Sequence, residues 1–231
     1  MKEEKSIYVF MGPPGSGKGS LAKLCIKKFG WYQLSTGNLC REHIEQRTEI
    51  GKQIDFAIKS GKLISDSLVV TMVREWLIEI FDVTTGIILD GFPRTVAQAE
   101  ALDALIATTF DSVNLKLVKL VVPNEEIVDR LSGRYICRNN RCQAVYSLRI
   151  NSVLRPRIGL ACDECSDGLV RRSDDEAESV RERLKIYYAH EQDLVNYYRK
   201  QQHDIAQVDG THSLDRVFES FEYLINHRMI T

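Results

Sequence analysis

The feature that most constrains this chain is a glycine-rich loop set between a strand pattern and a helix pattern. Residues 6–11 are apolar without alternation, which is typical of a strand buried on both faces of a parallel sheet. The run Gly12-Pro13-Pro14-Gly15-Ser16-Gly17-Lys18 fits G-x-x-x-x-G-K, and residues 18–29 carry apolar side chains at helical spacing. The unit predicts a phosphate-binding loop, because its backbone N–H groups and the helix N-terminus both attract an anion.

Lys18 ends this loop and is predicted to place a full positive charge near a phosphoryl group. Gly19 follows it, and the first hydroxyl comes one residue later, at Ser20. We therefore expect no hydroxyl directly on a Mg²⁺ ion, which would be held by triphosphate oxygens, water and an outer carboxylate. Asp90, at the carboxyl end of a buried strand pattern, is the candidate carboxylate. Its alternative role is to cap the turn into Phe92-Pro93.

Strand and helix patterns alternate along the rest of the chain. Further strands are predicted at 32–34, 86–89, 115–122 and 205–208. Helices are predicted at 38–60, from 66 onward, and at 95–106, 124–131, 173 to about 202, and 214–225. Ser35-Thr36, Ser65-Asp66 and Ser173-Asp174-Asp175 are predicted as N-terminal caps, with Gly51 and Gly61 as breaks. The alternation predicts an α/β fold in which a parallel five-stranded sheet is covered by helices on both faces.

Composition and charge limit the functions to consider. Hydrophobic residues make up 44% of the chain and charged residues 27%, which predicts a soluble globular protein. No apolar stretch approaches the roughly 20 residues of a membrane span, and the run Ile7–Met11 is too short for a signal peptide. We therefore expect a cytoplasmic protein with no membrane partner. The formal net charge of −1 argues against a chain that binds polyanions over its whole surface.

Four of the six cysteines fall in one segment, at about 133–173, where helical periodicity is lost. They form two pairs, Cys137-x4-Cys142 and Cys162-x2-Cys165. Four thiolates suit a tetrahedral structural Zn²⁺, and an insert this short needs such a staple because it cannot build a good core. The wide first gap leaves reduced, metal-free cysteines as an alternative, with a disulfide behind it. Cys25 and Cys40 are interpreted as small apolar residues of the core or a helix.

The same insert is strongly basic. It carries eight arginines and no lysine against three acidic residues, an excess of five positive charges. A mobile flap that covers a triphosphate and excludes water explains this excess. A nucleic-acid-binding surface is the competing explanation.

Several motifs together resemble those of the adenylate kinase family. The phosphate loop, read as Gly12-x-Pro14-Gly15-Ser16-Gly17-Lys18-Gly19-Ser20, is similar to the family's form. The others are Ser35-Thr36-Gly37-x-x-x-Arg41, Leu89-Asp90-Gly91-Phe92-Pro93-Arg94-Thr95 followed by Gln98, Asp129-Arg130-x-x-Gly133-Arg134, and Arg172-x-Asp174-Asp175 with Arg183. The resemblance runs from about residue 6 to the C-terminal helix. It implies a P-loop kinase that converts ATP and AMP reversibly into two ADP.

The resemblance also implies a set of site residues. The ATP site would comprise Gly15, Ser16, Gly17, Lys18, Gly19, Ser20, Arg130, Arg134, Val145, Tyr146 and His212. The AMP site would comprise Thr36, Arg41, Lys62, Leu63, Ile64, Gly91, Phe92, Pro93, Arg94, Gln98, Arg172 and Arg183. Catalysis would rest on Lys18, Asp90, Arg94, Arg130, Arg134, Arg172 and Arg183.

Three units follow from the same resemblance. The core would comprise residues 1–34, 65–132 and 176–231, the AMP-binding insert residues 35–64, and the lid residues 133–175. Many bacterial members of the family have a lid stabilised by zinc, and Ala144-Val145-Tyr146 matches the sequence usually found there. The family likeness further implies a monomer.

Three points stay open from the sequence. Where the family usually has Asp after Ser-Thr-Gly, this chain has Asn38, which predicts weaker Mg²⁺ affinity with activity retained. The sequence indicates the base of the phosphate donor less clearly than that of the acceptor. A GTP-using enzyme or another nucleoside monophosphate kinase is therefore an alternative. From a different class, a zinc-ribbon regulator that binds nucleic acid is the competing hypothesis, and the net charge argues against it.

Overall fold

Strands and helices alternate along the chain, as the sequence predicts. The computed structural model describes residues 5–59, 64–110, 112–139, 142–149 and 152–227. Within those ranges the strands are β1 Lys5–Met11, β2 Tyr32–Ser35, β3 Gly86–Asp90, β4 Val113–Val121, β5 Arg134–Cys137, β6 Val145–Ser147, β7 Leu169–Val170 and β8 Ile205–Asp209. The α-helices are α1 Lys18–Phe29, α2 Thr36–Glu45, α3 Glu49–Lys59, α4 Asp66–Ile80, α5 Val96–Thr109, α6 Asn124–Ser132, α7 Ala177–Lys200 and α8 Leu214–His227.

Five strands form one parallel sheet in the order β2-β3-β1-β4-β8. The predicted α/β fold with a five-stranded parallel sheet is therefore confirmed. β1 is the central strand, and its residues from Ile7 to Met11 are all buried, which explains why its sequence does not alternate. Because the strands are parallel, the loops that follow β1, β2, β3 and β4 all leave from the same edge of the sheet.

The two faces of β1 pack into two separate apolar cores. Ile7, Val9 and Met11 join a core formed with α4, α5 and α7. Tyr8 and Phe10 join a second core formed with α1 and α8. In the second core the ring of Phe221 lies edge-on to Tyr8, Phe10 and Trp31, at centroid distances of 5.9, 5.6 and 6.2 Å. Helices thus cover both faces of the central strand, and this close packing holds the loop-bearing edge of the sheet rigid.

Gly51 was predicted to break a helix, and that prediction is wrong. The break falls between α2 and α3, where Arg47 has a φ of 52°, and Gly51 lies inside α3. A Cβ on Gly51 would collide with the carbonyl of His43 on α2. Glycine is therefore needed because the two helices touch there. The other predicted break, Gly61, lies outside the described residues.

Two predicted helix caps also differ from the structure. Ser173–Asp175 forms a 3₁₀ turn, and α7 begins after it with Glu176 as its N-cap. The aspartates do not cap because their carboxylates pair with arginines. Ser35 makes no side-chain cap bond to α2, and Thr36 is its first helical residue. The Ser65 cap of α4 is confirmed, since its Oγ accepts from the Leu68 N–H.

A second, antiparallel sheet occupies the cysteine-rich segment. Its three strands lie in the order β6-β5-β7, and an isolated bridge joins Ala161 to Gly168. Its small core contains Cys137, Cys162, Tyr146 and Leu169. The segment therefore has a sheet and a small apolar core of its own. No described helix is both long and apolar enough to cross a membrane.

The aromatic packing around Phe221 gives a stability prediction. Phe221→Ala is expected to lower the free energy of unfolding by about 3–5 kcal/mol, because it removes a fully buried ring and leaves a cavity. Tyr223→Ala is the control on the same helix, with a side chain 59% exposed, and is expected to change stability by less than about 0.5 kcal/mol. Urea denaturation of both variants measures the difference, and equal losses would contradict it.

Candidate active site

The glycine-rich loop runs from the end of β1 to the start of α1 and curls around its own backbone. The Ser16 N–H donates to the Pro13 carbonyl at 3.1 Å. Gly15 has a φ of 87°, and a Cβ there would lie 2.8 Å from Leu131 Cγ. Only glycine fits this position, because the backbone conformation is left-handed and the neighbouring side chain is close. Residues 15–20, which include this turn, line one large cleft.

Lys18 lies folded back on the loop that it ends. Its Nζ donates to the carbonyls of Gly12 at 2.7 Å and Pro13 at 3.0 Å. Burial lowers the pKa of Lys18, and the carboxylate of Asp90 opposes that shift. Nearby guanidinium groups lower the pKa further; they belong to Arg94, Arg183 and Arg134. The ammonium therefore lies in a crowded positive field, which an incoming anion would relieve.

Asp90 ends β3 beside this loop. It pairs in register with Phe10 of β1 and Ser35 of β2, so its position is fixed from both sides. Its Oδ2 accepts a hydrogen bond at 3.2 Å from the neutral Gln33 Nε2. A Cβ on Gly19 would lie 3.7 Å from the same oxygen, which is ordinary contact distance. The carboxylate therefore lines the cleft next to the first turn of α1.

The turn after β3 holds a second cationic group. The Arg94 Nε donates to the Gly91 carbonyl at 2.8 Å, and the Thr36 Oγ1 donates to the same oxygen at 3.0 Å. Gly91 has a φ of 83°, and a Cβ there would lie 2.8 Å from Thr36 Oγ1. Burial lowers the pKa of Arg94. The turn thus requires glycine in order to bring Arg94 and the start of α2 together.

Two further arginines are held by the acidic turn that precedes α7. Arg134 forms a two-pronged ion pair with Asp175, at 2.7 Å through Nε and 2.6 Å through Nη2. The Asp175 side chain is fully buried. The Arg183 Nη1 lies 2.9 Å from Asp174 Oδ2 and 3.6 Å from Asp175 Oδ1. The chain's own carboxylates therefore occupy forks that match a phosphate in shape and charge.

Arg172 has a donor without an acceptor. Its buried Nε has no hydrogen-bond partner among the described residues. Burial lowers the pKa of Arg172 to about 10, and the positive charges of Arg134 and Arg41 add to the effect. Burial also lowers the pKa of Arg41, whose Nη2 donates to Asn38 Oδ1. A buried, unpartnered guanidinium nitrogen among like charges marks a position where an anion fits.

Arg130 lies on the other side of the phosphate loop. Its Nε donates to Glu126 Oε1 at 2.9 Å, one turn away on α6. Its Nη2 donates to the Gly210 carbonyl at 2.8 Å. These bonds join α6 to the turn after β8, which also carries His212. Arg149 reaches the same Glu126 from the second sheet, at 3.2 Å.

One large cleft brings most of the predicted site residues together. It is lined by Gly15, Ser16, Gly17, Lys18, Gly19, Ser20, Arg41, Asp90, Gly91, Pro93, Arg94, Arg130, Arg134, Val145, Tyr146, Arg172, Arg183 and His212. Four described residues of the predicted AMP site do not line it, namely Thr36, Ile64, Phe92 and Gln98. Thr36, Phe92 and Gln98 are buried instead. Lys62 and Leu63 lie outside the described residues.

The four clustered cysteines converge beside this cleft. Their sulfur atoms all lie within 4.8 Å of one another, with Cys137–Cys165 at 3.4 Å and Cys142–Cys162 at 3.6 Å. Tetrahedral ligands at about 2.3 Å from one Zn²⁺ stand about 3.8 Å apart, so the donor set fits that ion. All six cysteines are free thiols, and Cys25 is fully buried, as a core residue is expected to be.

The wide first gap does not prevent the cluster. The Asn139 carbonyl accepts from the N–H groups of both Cys142 and Gln143 at 3.0 Å, and the resulting turn returns the chain to Cys137. In the second pair, the Ser166 N–H donates to the Cys162 carbonyl at 2.8 Å. Burial raises the pKa of Cys162, but hydrogen bonds led by that from Tyr146 outweigh it and lower the pKa to about 6. One sulfur is therefore predisposed to bind a cation as a thiolate.

Comparison with known proteins identifies the family to which this chain belongs. The family model described as adenylate kinase matches residues 10–203. The chain is 40% identical to the adenylate kinase of Archaeoglobus fulgidus over 217 residues, which is 94% of this chain and 96% of that protein. It is 39% identical over 217 residues to that of Carboxydothermus hydrogenoformans, covering 93% and 96%. It is 37% identical over 218 residues to that of Methanothrix thermoacetophila, covering 94% and 97%.

The chain belongs to the adenylate kinase family. It is therefore a nucleoside monophosphate kinase, a phosphotransferase, as its motifs predicted. The arrangement of loop, arginines and carboxylates described above is what such an enzyme requires, because phosphoryl transfer depends on positioning and neutralising charge.

The motifs of the adenylate kinase family did not reveal one polar cluster behind the phosphate loop. The Tyr187 hydroxyl donates to Glu191 Oε1 at 2.6 Å, and Lys119 Nζ lies 2.7 Å from the same oxygen. Lys119 pairs in register with Met11, the residue before the loop. The four-residue spacing of Arg183, Tyr187 and Glu191 along one helix was the available signal. It is weak, because a polar helix face is usually only solvated.

The buried pair of Arg134 and Asp175 gives a prediction with a built-in control. Asp175→Asn is expected to cost about 3–5 kcal/mol of stability, because it leaves a buried guanidinium without its counter-charge. Asp174→Asn, the neighbouring position, is about half exposed at 49% and is expected to cost less than about 1 kcal/mol. Chemical denaturation of the two variants tests this. Losses of similar size would show that burial does not decide the strength of these pairs.

Proposed function

We propose that this adenylate kinase family member transfers the γ-phosphoryl group of ATP to AMP, producing two ADP reversibly. One observation carries the proposal. Six cationic groups, Lys18, Arg41, Arg94, Arg134, Arg172 and Arg183, line one cleft, and one of them has a buried donor that no described residue satisfies. Such a cluster is unfavourable until several phosphates enter it.

The triphosphate would bind at the glycine-rich loop. The N–H groups of residues 15–20 and the N-terminus of α1 would contact its β- and γ-phosphates. Lys18 would leave the carbonyls of Gly12 and Pro13 and move to the phosphate oxygens. Its lowered pKa would return toward the ordinary value, because the anion offsets the surrounding positive charge. Arg130 and Arg134 would contact the same phosphates from α6 and β5.

The acceptor phosphate would bind between Arg41 and Arg94, at the start of α2 and after β3. Arg172 and Arg183 would steady the group in transfer, where negative charge spreads over its three equatorial oxygens. No general base is needed, because the acceptor phosphate is already an anionic nucleophile. The acid turn at Asp174 and Asp175 would release its arginines as the phosphates replace its carboxylates.

Mg²⁺ fits the carboxylate end of this site. Asp90 faces the cleft from the end of β3 and accepts a bond from a neutral amide, so it is available to the water shell of a cation. When bound, Mg²⁺ would supply positive charge that offsets the negative charge of the phosphates. Asn38, where the family usually has Asp, adds no second carboxylate, and its Oδ1 accepts from Arg41. The predicted weakening of Mg²⁺ affinity stays a prediction.

The base subsites are proposed as follows. ATP adenine would lie near Val145, Tyr146 and His212, which line the cleft. AMP adenine would be read by Thr36 and Gln98 with the backbone of residues 62–64. Thr36 and Gln98 do not line the cleft, so α2 and α3 would have to shift before the base can enter. We further propose three parts: a core, an AMP-binding insert at 35–64, and a lid at 133–175 that closes over the triphosphate.

A single chain supplies both phosphate sites, so the proposed working form is a monomer acting on free nucleotides rather than on nucleic acid. Its place would be the cytoplasm, where ATP is available and thiols stay reduced. A Zn²⁺ held by Cys137, Cys142, Cys162 and Cys165 would fix the lid's fold. It would take no part in the chemistry, because four protein sulfurs leave no open position.

Activity is tested with each pairing of nucleotides. ATP and AMP with Mg²⁺ are expected to give ADP faster than GTP with AMP, or ATP with CMP or UMP. Lys18→Met is expected to lower kcat by about 10²–10³-fold, since it removes a charge that contacts the transferring group. Lys52→Met, on the exposed surface of α3, is the control with unchanged activity. Absence of ADP from every pairing would refute the proposed function.

Metal content gives a second test. The purified protein is expected to hold about one zinc per chain by atomic absorption, because four sulfurs complete one tetrahedral shell. Cys142→Ser is expected to lose most of that zinc and to lower the melting temperature. Cys40→Ser, outside the cluster, is expected to keep it. A metal-free protein with six reactive thiols would instead favour reduced cysteines. A metal-free protein with four reactive thiols would favour a disulfide.

A further inference from the structure

Gln98 is held at both ends of its side-chain amide. Its Nε2 donates to Asp66 Oδ1 at 2.7 Å, and its Oε1 accepts from the Arg94 N–H at 2.8 Å. The other Asp66 oxygen accepts from the Thr95 Oγ1 at 2.8 Å. Thr95 in turn accepts from the Gln98 N–H at 3.2 Å. These contacts tie the first turn of α4 to the first turn of α5.

The two partners determine which way the amide points. A carboxylate only accepts hydrogen bonds, and a backbone N–H only donates them. Rotating the amide by half a turn would set Nε2 against the Arg94 N–H and Oε1 against the Asp66 carboxylate. Gln98 is 4% exposed, so water is not available to compensate for either mismatch. The amide therefore has one stable orientation.

With a single orientation, the Gln98 amide presents a single hydrogen-bonding edge to a base. An amide offers two donors and two acceptor lone pairs, and the two contacts use one of each. The remaining acceptor on Oε1 and the remaining donor on Nε2 keep one relative order, because the amide does not rotate. Adenine complements that order on either of its edges, with its 6-amino group as donor and N1 or N7 as acceptor. Hypoxanthine and guanine place a 6-oxo group where the amino group would be, so two acceptors would meet.

We infer that Asp66 is a positioning residue that fixes the polarity of the Gln98 amide and so selects adenine over 6-oxopurines in the monophosphate acceptor. The inference rests on the proposed function, in which Gln98 reads the acceptor base. It adds a residue that contacts neither base nor phosphate. Asp66 acts through Gln98 because its carboxylate, at the first position of α4, accepts the hydrogen bond that sets the direction of the amide.

The test compares AMP with IMP, which has nearly the same shape and the opposite polarity at position 6. The quantity measured is the ratio of kcat/KM for AMP to kcat/KM for IMP, with ATP as donor. Asp66→Asn is expected to lower that ratio about tenfold, because a neutral acceptor holds the amide about half as strongly and the new side chain also offers a donor. The Arg94 N–H remains, so the preference is expected to fall without disappearing.

Matched variants separate this role from simple destabilisation. Ser65→Ala removes the N-cap of the same helix without touching Gln98, and is expected to leave the ratio unchanged while lowering the melting temperature. Thr95→Val removes both the second bond to Asp66 and the cap bond from the Gln98 N–H, and is expected to lower the ratio by a smaller factor, whereas Thr95→Ser keeps both bonds and restores it. Thr95→Val also serves as the decisive variant if Asp66→Asn does not fold.

The outcomes are distinct. A folded, active Asp66→Asn enzyme whose ratio stays within twofold of the parent protein would overturn the inference. An equal fall in Ser65→Ala would overturn it too, since loss of helix stability would then explain the change. A parent protein that makes no ADP from ATP and AMP would instead refute the proposed function on which the inference rests.

Discussion

Repulsion among buried cations is the constraint on which the rest of the cleft depends. Lys18, Arg94 and Arg172 each lose hydration, and each has its pKa lowered by burial and by its cationic neighbours. The chain tolerates them because Asp90 and Asp174 supply counter-charges in the cleft, and the buried Asp175 supplies another behind it. Binding of nucleotides is then an exchange, in which phosphate oxygens replace protein carboxylates as the partners of the same guanidinium forks. If every cationic side chain were already paired with a carboxylate of the protein, little electrostatic free energy would be gained by binding a polyphosphate.

The parallel sheet explains how distant parts of the chain contribute to one cleft. The phosphate loop follows β1, Thr36 follows β2, and Gly91 and Arg94 follow β3, so residues as distant in the sequence as Gly12 and Arg94 meet at one edge. The remaining charges come from outside the sheet, from β5 and from the turn before α7. Arg134 lies on β5 of the second sheet, and Asp174 and Asp175 lie in the turn that leads into α7.

Much of this could be read from the sequence, because strong local patterns determine it. The apolar run before Gly12 and the glycines after it predict the strand, the loop and the helix. Their spacing also predicts that Lys18 ends the loop, as it does in the structure. Pairings between distant residues could not be read. Asp175 looks like a helix cap in the sequence, yet its carboxylate binds Arg134, because a buried guanidinium needs a counter-charge more than a helix end needs a cap. The burial of Gln98 depends in the same way on the packing of α4 against α5, which no single segment encodes.

The close contact at Gly51 bears on how the protein moves. With no side chain between them, α2 and α3 touch backbone to backbone, and Thr48 ties the junction through its bonds to His43 and to the Gly51 N–H. We expect two helices in such close contact to move as one rigid body rather than independently. Any displacement of this pair must then be taken up at its ends, and the Thr36–Gly91 bond sits at one of them. The absence of a side chain at Gly51 therefore sets the spacing between α2 and α3.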